Sequence, residues 1–153
     1  MTTYVDCSAL VPVYVPERFS KVAREVLRGL AQVPYTPLHE LEVSNAFALL
    51  RGRRLITADE HRAIHAQVQE DVDAQRFVPV ALDWADVFET ARELSEAYTA
   101  RLLTRSLDLL HVAAARATSC RVFVSADDRQ LAVARAAGLR VVDIKRKPRS
   151  RRQ

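Results

Sequence analysis

Residues 121–139 read RVFVSADDRQLAVARAAGL, and this stretch decides the fold. Arg121 to Ser125 is a short run of β-branched and aromatic side chains, which reads as a buried strand. Ser125 to Asp128 then supplies helix N-cap groups, and an alanine-rich run follows that Gly138 is placed to terminate. Leu139 to Ile144 returns as another strand. Strand, helix, strand is the repeating unit of a parallel sheet covered by helices.

Upstream, Ser106–Ala115 (SLDLLHVAAA) predicts a buried helix over about Leu107–Thr118, yet carries Asp108 and His111 one turn apart. An ionised carboxylate in an apolar run needs a partner; a helix cap is one answer and a metal ion another. Asp83 caps a helix running to about Arg105, preceded by a strand-like run, Phe77–Leu82. Thr57-Ala-Asp-Glu60 has the form of a capping box and starts a helix reaching about Arg76. Leu41, Ala46, Leu49 and Leu50 recur at helical spacing and predict a helix from His39 to Arg54. Val33–Tyr35 is a short strand closed by Pro37, and Glu17–Gln32 is a charged amphipathic helix. At the start, Tyr4-Val5 is β-prone and ends at Asp6 and Ser8, both good N-cap residues. Strands alternate with helices throughout, which predicts a three-layer α/β/α sandwich with a mainly parallel central sheet.

At 153 residues the chain fits one domain, able to bury roughly 70% of its unfolded surface. It is 49% hydrophobic and 27% charged, as soluble globular proteins are. No apolar run approaches the roughly 18 residues of a membrane span, and MTTYVDCSAL lacks the basic and apolar regions of a signal peptide. Cys7 and Cys120 suit two reduced thiols in a cytoplasmic protein better than a disulfide framework. The formal net charge of +4 is concentrated at one end: Lys145–Gln153 (KRKPRSRRQ) holds six basic residues and no acid. The expected organisation is one domain over residues 1–144 followed by a basic, disordered tail at 145–153. Such a tail either contacts a polyanion or merely aids solubility.

In open parallel sheets ligands bind beyond the carboxyl ends of the strands. Asp6 and Asp127 fall at such ends, Asp108 opens a helix, and Glu42 lies in the first turns of another. Taken singly, each aspartate also reads as an N-cap or dipole partner, worth roughly 0.5–2 kcal/mol. Glu40 competes with Glu42, but two residues span about 200° of a helix, so one of them faces a given pocket. Glu42 shares its side with Leu38, Asn45, Ala46 and Leu49, which mildly favours it.

DCSAL at the N-terminus, EVSNAF at Glu42, DLLHVAAA at Asp108 and VSADDRQLAVARAAGL at Asp127 occur in the order of the PIN-domain fold. More narrowly, the chain resembles the toxin ribonucleases of VapBC-type toxin–antitoxin modules over about residues 3–144. That resemblance implies an acidic catalytic and metal-binding set of Asp6, Glu42, Asp108 and Asp127, with Ser8 and Ser125 in support. It selects Glu42 over Glu40 and leaves Asp128, one step into its helix, as the weaker alternative to Asp127. It also implies Mg²⁺ or Mn²⁺, an RNA substrate, a homodimer, a small cognate antitoxin, and operator DNA bound only through that antitoxin.

Hard oxygen ligands suit Mg²⁺ or Mn²⁺. A divalent ion would let an acidic pocket accept a phosphodiester and would lower the pKa of a bound water. The expected products carry 5′-phosphate and 3′-hydroxyl ends. His111 reads as a satisfied structural histidine, and His61-Arg-Ala-Ile-His65 as a solvated face lacking the glutamate of a zinc-protease motif. No phosphate loop or dinucleotide fingerprint is present, and neither cysteine has a sequence neighbour that would activate it. Arg51, Arg53 and Arg54, with Lys145, Arg146 and Lys147, are candidate RNA contacts of the salt-sensitive kind that reads no bases. Two rivals stand beside this reading: a catalytically inactive PIN-fold RNA-binding or scaffold protein with a vestigial pocket, and a metal-dependent phosphatase-like or phospho-acceptor domain. A dehalogenase-type phosphatase wants a second aspartate two residues after the first, where Ser8 stands.

Overall fold

The computed structural model describes residues 1–146; the tail from Lys147 onward lies outside the described residues. Twelve elements follow one another: β1 (Thr3–Val5), α1 (Cys7–Tyr14), α2 (Ser20–Arg28), β2 (Val33–Tyr35), α3 (Pro37–Gly52), α4 (Ala58–Asp73), β3 (Phe77–Pro79), α5 (Trp84–Leu102), α6 (Ser106–Ala117), β4 (Val122–Ser125), α7 (Asp128–Ala136) and β5 (Arg140–Asp143). Every strand pairing is parallel. The ladders form a three-stranded sheet, β1-β4-β5, and a two-stranded one, β2-β3, with β2 lying alongside β1.

A histidine explains the gap between those two pieces. His39 Nδ1 accepts the Thr36 N–H (3.0 Å), so Nε2 carries the proton and donates to the Val5 carbonyl (3.0 Å). The free edge of β1 is thus satisfied by a side chain where a ladder partner would otherwise stand. Burial, with the charge of His111 behind it, depresses the His39 pKa to about 3, so the ring stays neutral.

Strand alternation builds the layers. Tyr4 and Phe123 point to one face, where their rings stack (5.5 Å, 8° between planes) among Val87, Leu94, Val112 and Val133 of α5, α6 and α7. Val5, Val122 and Val124 point to the other, against Leu10, Leu27, Val43 and Phe47 of α1, α2 and α3. The result is the three-layer sandwich predicted from the sequence.

The caps are where the sequence put them. Thr57 and Glu60 form a reciprocal capping box, Asp83 caps α5, and Gly138 ends α7 at φ +88°, a conformation glycine adopts without strain. Several boundaries differ. The helix expected over Glu17–Gln32 is only Ser20–Arg28, the strand expected to reach Leu82 stops at Pro79, and α5 ends at Leu102 where Leu103 turns left-handed at φ 54°. The helix expected to reach Arg76 ends at Asp73. Helix α1 was foreshadowed only by its cap, because its apolar residues surround the axis and Pro12 sits inside it. On α3 the buried stripe is Leu38, His39, Val43 and Phe47, while Leu41 is 66% exposed. His61 and His65 are not a solvated face: both are half-buried, and His65 meets Phe47 edge-on.

Candidate active site

The winding reverses at β1, with β2 on one side and β4 on the other, and the pocket lies beyond the carboxyl ends of β1 and β4. Asp6 is the residue after β1 and is fully buried. It caps α1 through the Ala9 N–H and receives the Ser8 hydroxyl, which lies 2.9 Å from both its oxygens. Ser8 Oγ accepts the Ala126 N–H (2.8 Å) and meets Ser125 Oγ (3.2 Å), which accepts the Asp127 N–H (2.8 Å). The two hydroxyls therefore tie the end of β1 to the end of β4.

Asp127 caps α7, accepting the Arg129 and Gln130 N–H groups (2.7 and 3.2 Å). Asp128 instead points outward, 82% exposed, in an ion pair with Lys145 (2.5 Å) that holds its carboxyl below the usual range. Asp108, buried at the start of α6, reaches back to the Arg105 N–H (2.8 Å). Burial raises its pKa and the Asp127 charge raises it further, against the pull of the Arg105 N–H and the Gln130 amide.

Glu42 stands on the far side of Asp6. Its carboxylate bonds His111 Nε2, whose ring is fully buried and whose Nδ1 meets the Tyr4 hydroxyl (2.9 Å). Burial alone would push Glu42 up, but the hydrogen bond and charge of His111, with Cys7, outweigh it and hold Glu42 below its ordinary value. Glu40 is exposed and lines a different cleft. An open cleft of about 540 Å³ leads in from solvent, with Cys7, Ser8, Glu42, Asn45 and Ala126 along its wall.

The acids are connected in a chain more than gathered at one point. Among the described residues, the metal-ligand atoms that lie within 4.8 Å of one another belong to Cys7, Glu42 and His111, not to the three aspartates. The serine bridge joins Asp6 to Asp127, and the charge of Asp127 reaches Asp108. Mg²⁺ keeps several of its waters and takes only one or two carboxylates directly, so it does not need the acids gathered at one point.

Three observations bear on whether a cation belongs there. Burial lifts the Asp6 carboxyl to about 6, against the opposing effects of His111, Ser8, Ser125 and the Ala9 N–H. Among the described residues no lysine or arginine forms an ion pair with Asp6, Asp108 or Asp127. Beside them, Gln130 Oε1 is buried without a hydrogen-bond partner. Uncompensated carboxylates and an orphaned carbonyl oxygen are the donor set of a hard divalent cation. The residues fit such an ion.

Other candidates are not brought to the pocket. Arg51, Arg53 and Arg54 lie at the opposite end of α3, with Arg51 about 13 Å along the helix from Glu42. Lys145 and Arg146 pair locally with Asp128 and Asp143, and Lys147 lies outside the described residues. Sequence reasoning missed the closeness of Cys7 to Glu42 and His111, 35 and 104 positions away, for which spacing gives no signal. It also missed Gln130, although an aspartate cap followed three residues later by glutamine was a legible sign.

Comparison with known proteins bears on the fold and the family. No curated protein matches the chain significantly. Among solved structures, FitAcB from Neisseria gonorrhoeae superposes with a TM-score of 0.67 at 15% identity, covering 94% of this chain and 99% of its own. FitAB bound to an IR36 DNA fragment gives 0.69 at 15% identity, covering 97% and 99%. The sarcin-ricin-loop-cleaving toxin VapC20 of Mycobacterium tuberculosis gives 0.63 at 19% identity, covering 90% and 96%. At such identities the likeness is one of fold. The family assignment is direct, because the PIN domain matches residues 3–136, from the first strand through the last helix: the chain belongs to the PIN-domain family.

Proposed function

We propose that this protein is a metal-dependent endoribonuclease and the toxin of a type II toxin–antitoxin pair. The observation that carries the reading is the fully buried, unpaired Asp6 at the carboxyl end of β1, linked through Ser8 and Ser125 to Asp127 at the end of β4. Asp6, Asp108 and Asp127 would hold Mg²⁺ or Mn²⁺, with Glu42 at the edge of the set. When bound, the ion neutralises the scissile phosphate and activates water.

The chain's own groups do the rest. Ser8 and Ser125 fix the Asp6 carboxylate and keep the two strand ends in register. Glu42, held ionised by His111 and open to the cleft, orients the attacking water and accepts its proton on the carboxylate. Gln130 Oε1 offers an acceptor to a water of the ion's hydration shell. In-line attack on phosphorus leaves 5′-phosphate and 3′-hydroxyl ends.

Structural likeness to a toxin that cleaves the sarcin-ricin loop supports RNA as substrate, and likeness to FitAB on DNA supports an antitoxin partner through which operator DNA is bound. A homodimer acting in the cytoplasm completes the proposal, as the resemblance to toxin ribonucleases implies; no helix among the described residues is long and apolar enough to cross a membrane. The test is cleavage of structured and single-stranded RNA with Mg²⁺, with Mn²⁺ and with EDTA, with product ends mapped. Metal-dependent cuts leaving 5′-phosphates are expected; cyclic-phosphate ends, or cleavage that persists in EDTA, would overturn the mechanism.

A further inference from the structure

Cys7, Glu42 and His111 are a different kind of ligand set from the aspartates. One sulfur, one oxygen and one imidazole nitrogen lie within 4.8 Å of one another. They come from three elements, α1, α3 and α6, that converge beneath the carboxyl end of β1. The histidine is already oriented as a ligand: the Tyr4 hydroxyl on Nδ1 (2.9 Å) aims Nε2 at the Glu42 carboxylate. Both residues are fully buried, so the ring has no other rotamer to occupy. Cys7 Sγ makes a long contact with the His39 carbonyl (3.9 Å) and turns its thiol towards Glu42, whose carboxylate accepts from it. An entry path exists, because Cys7 and Glu42 both line the open cleft.

We infer that Cys7, Glu42 and His111 form a second cation site, selective for a borderline-soft ion of the Zn²⁺ class and sharing Glu42 with the acidic pocket. Mg²⁺ does not favour thiolate or imidazole, whereas Zn²⁺ takes sulfur, nitrogen and carboxylate ligands and accepts water as a fourth. Bond lengths of about 2.0–2.3 Å set ligand atoms roughly 3.5 Å apart. The half-exposed Glu42 therefore moves back from His111 to admit the ion, and the Cys7 thiol gives up its proton to solvent. The His111 ring binds as the tautomer protonated at Nδ1, which donates to the Tyr4 hydroxyl and leaves Nε2 free for the ion. Occupation would draw Glu42 away from the proposed nuclease pocket. Zinc would then inhibit RNA cleavage, and this consequence, unlike the binding, rests on the nuclease reading.

The test uses the full chain, stripped with chelator and titrated with Co²⁺ as a spectroscopic stand-in for Zn²⁺. One equivalent should produce a near-ultraviolet sulfur-to-metal charge-transfer band that Zn²⁺ abolishes and a large excess of Mg²⁺ does not. Cys7→Ser should lose the band, while Cys120→Ser and the His61→Ala/His65→Ala double variant should keep it. Asp127→Asn, which alters only the acidic pocket, should show the same charge-transfer band as the parent. His111→Asn should weaken binding at least tenfold, and its circular dichroism checks folding. Absence of the band, or its survival in Cys7→Ser, would overturn the proposal. A band accompanied by no metal-dependent RNA cleavage would sink the nuclease reading and leave this site standing. Cleavage without a band would do the reverse.

Discussion

Replacing Asp6 by asparagine should raise stability while abolishing activity. Burial lifts the Asp6 carboxyl from 3.8 to about 6 in the metal-free protein. At about 1.4 kcal/mol per unit, ionising it costs roughly 3 kcal/mol of folding stability. The folded value lies above the unfolded one, so the native state holds this proton more tightly. This contribution is greatest below about pH 3.8, falls as the pH rises towards about 6, and is level above that. Asparagine cannot ionise, and it ranks with aspartate as an N-cap, so the Ala9 N–H keeps its acceptor. One of the two oxygens facing Ser8 becomes an amide nitrogen, a loss of about 1 kcal/mol. The net gain is about 2 kcal/mol, or a Tm higher by about 4–8 °C for a chain of this size. The assay is thermal unfolding in EDTA at about pH 7.5 and about pH 4.5, where the difference should largely vanish because the wild-type carboxyl is mostly protonated. Added Mg²⁺ should raise the Tm of the wild type and leave that of the variant nearly unchanged. A variant less stable than wild type at both pH values would refute the claim that Asp6 is an uncompensated buried charge.

Three further outcomes are expected. Asp127→Asn should cut RNA cleavage at least a hundredfold yet shift stability by less than about 0.5 kcal/mol in urea unfolding, because asparagine caps α7 as well as aspartate does. Ser8→Ala removes the hydroxyl that joins Asp6, Ser125 and the Ala126 N–H, and should cost about 1–3 kcal/mol by the same measurement; an unchanged midpoint would show that the bridge does not hold β1 to β4. Replacing Arg51, Arg53 and Arg54 together by alanine should leave kcat/KM within about threefold, since they lie at the far end of α3 and contribute only non-specific phosphate contacts. A tenfold loss in that variant would place the RNA path along α3.

The sequence displayed most of the fold because the chain announces its turns chemically. Thr57, Asp83, Asp127 and Gly138 each mark a helix end with the residue its backbone requires, and the structure uses all four. Reading failed where chemistry was uniform around an axis. Helix α1 is apolar on every side, so periodicity had no contrast to report; on α3 periodicity found the helix but not its buried face, because leucines stand on both faces. Ligand juxtaposition was equally invisible. Glu42 and His111 are 69 positions apart, and they meet only because α3 and α6 pack about the end of β1. A sequence can show that a residue is able to be a ligand, but the packing of layers decides beside what.

Capping and catalysis first stood as competing explanations of the aspartates, and the structure removes the competition. Asp6 caps α1, Asp127 caps α7, and Asp108 closes the first turn of α6 through the Arg105 N–H. In a parallel sheet each strand delivers the chain to a helix N-terminus at the same edge, so backbone N–H groups with the positive end of the helix dipole collect there. Those donors make a buried carboxylate tolerable before any cation arrives, but they do not neutralise it. Asp6 shows the remainder: the charge of His111, the two serines and the Ala9 N–H lower its pKa against burial, and it still stands at about 6. The capping bonds fix where the acids are, and the charge they leave uncompensated is what would draw the proposed ion. A surface capping aspartate would have ended with a depressed pKa and no need of a metal.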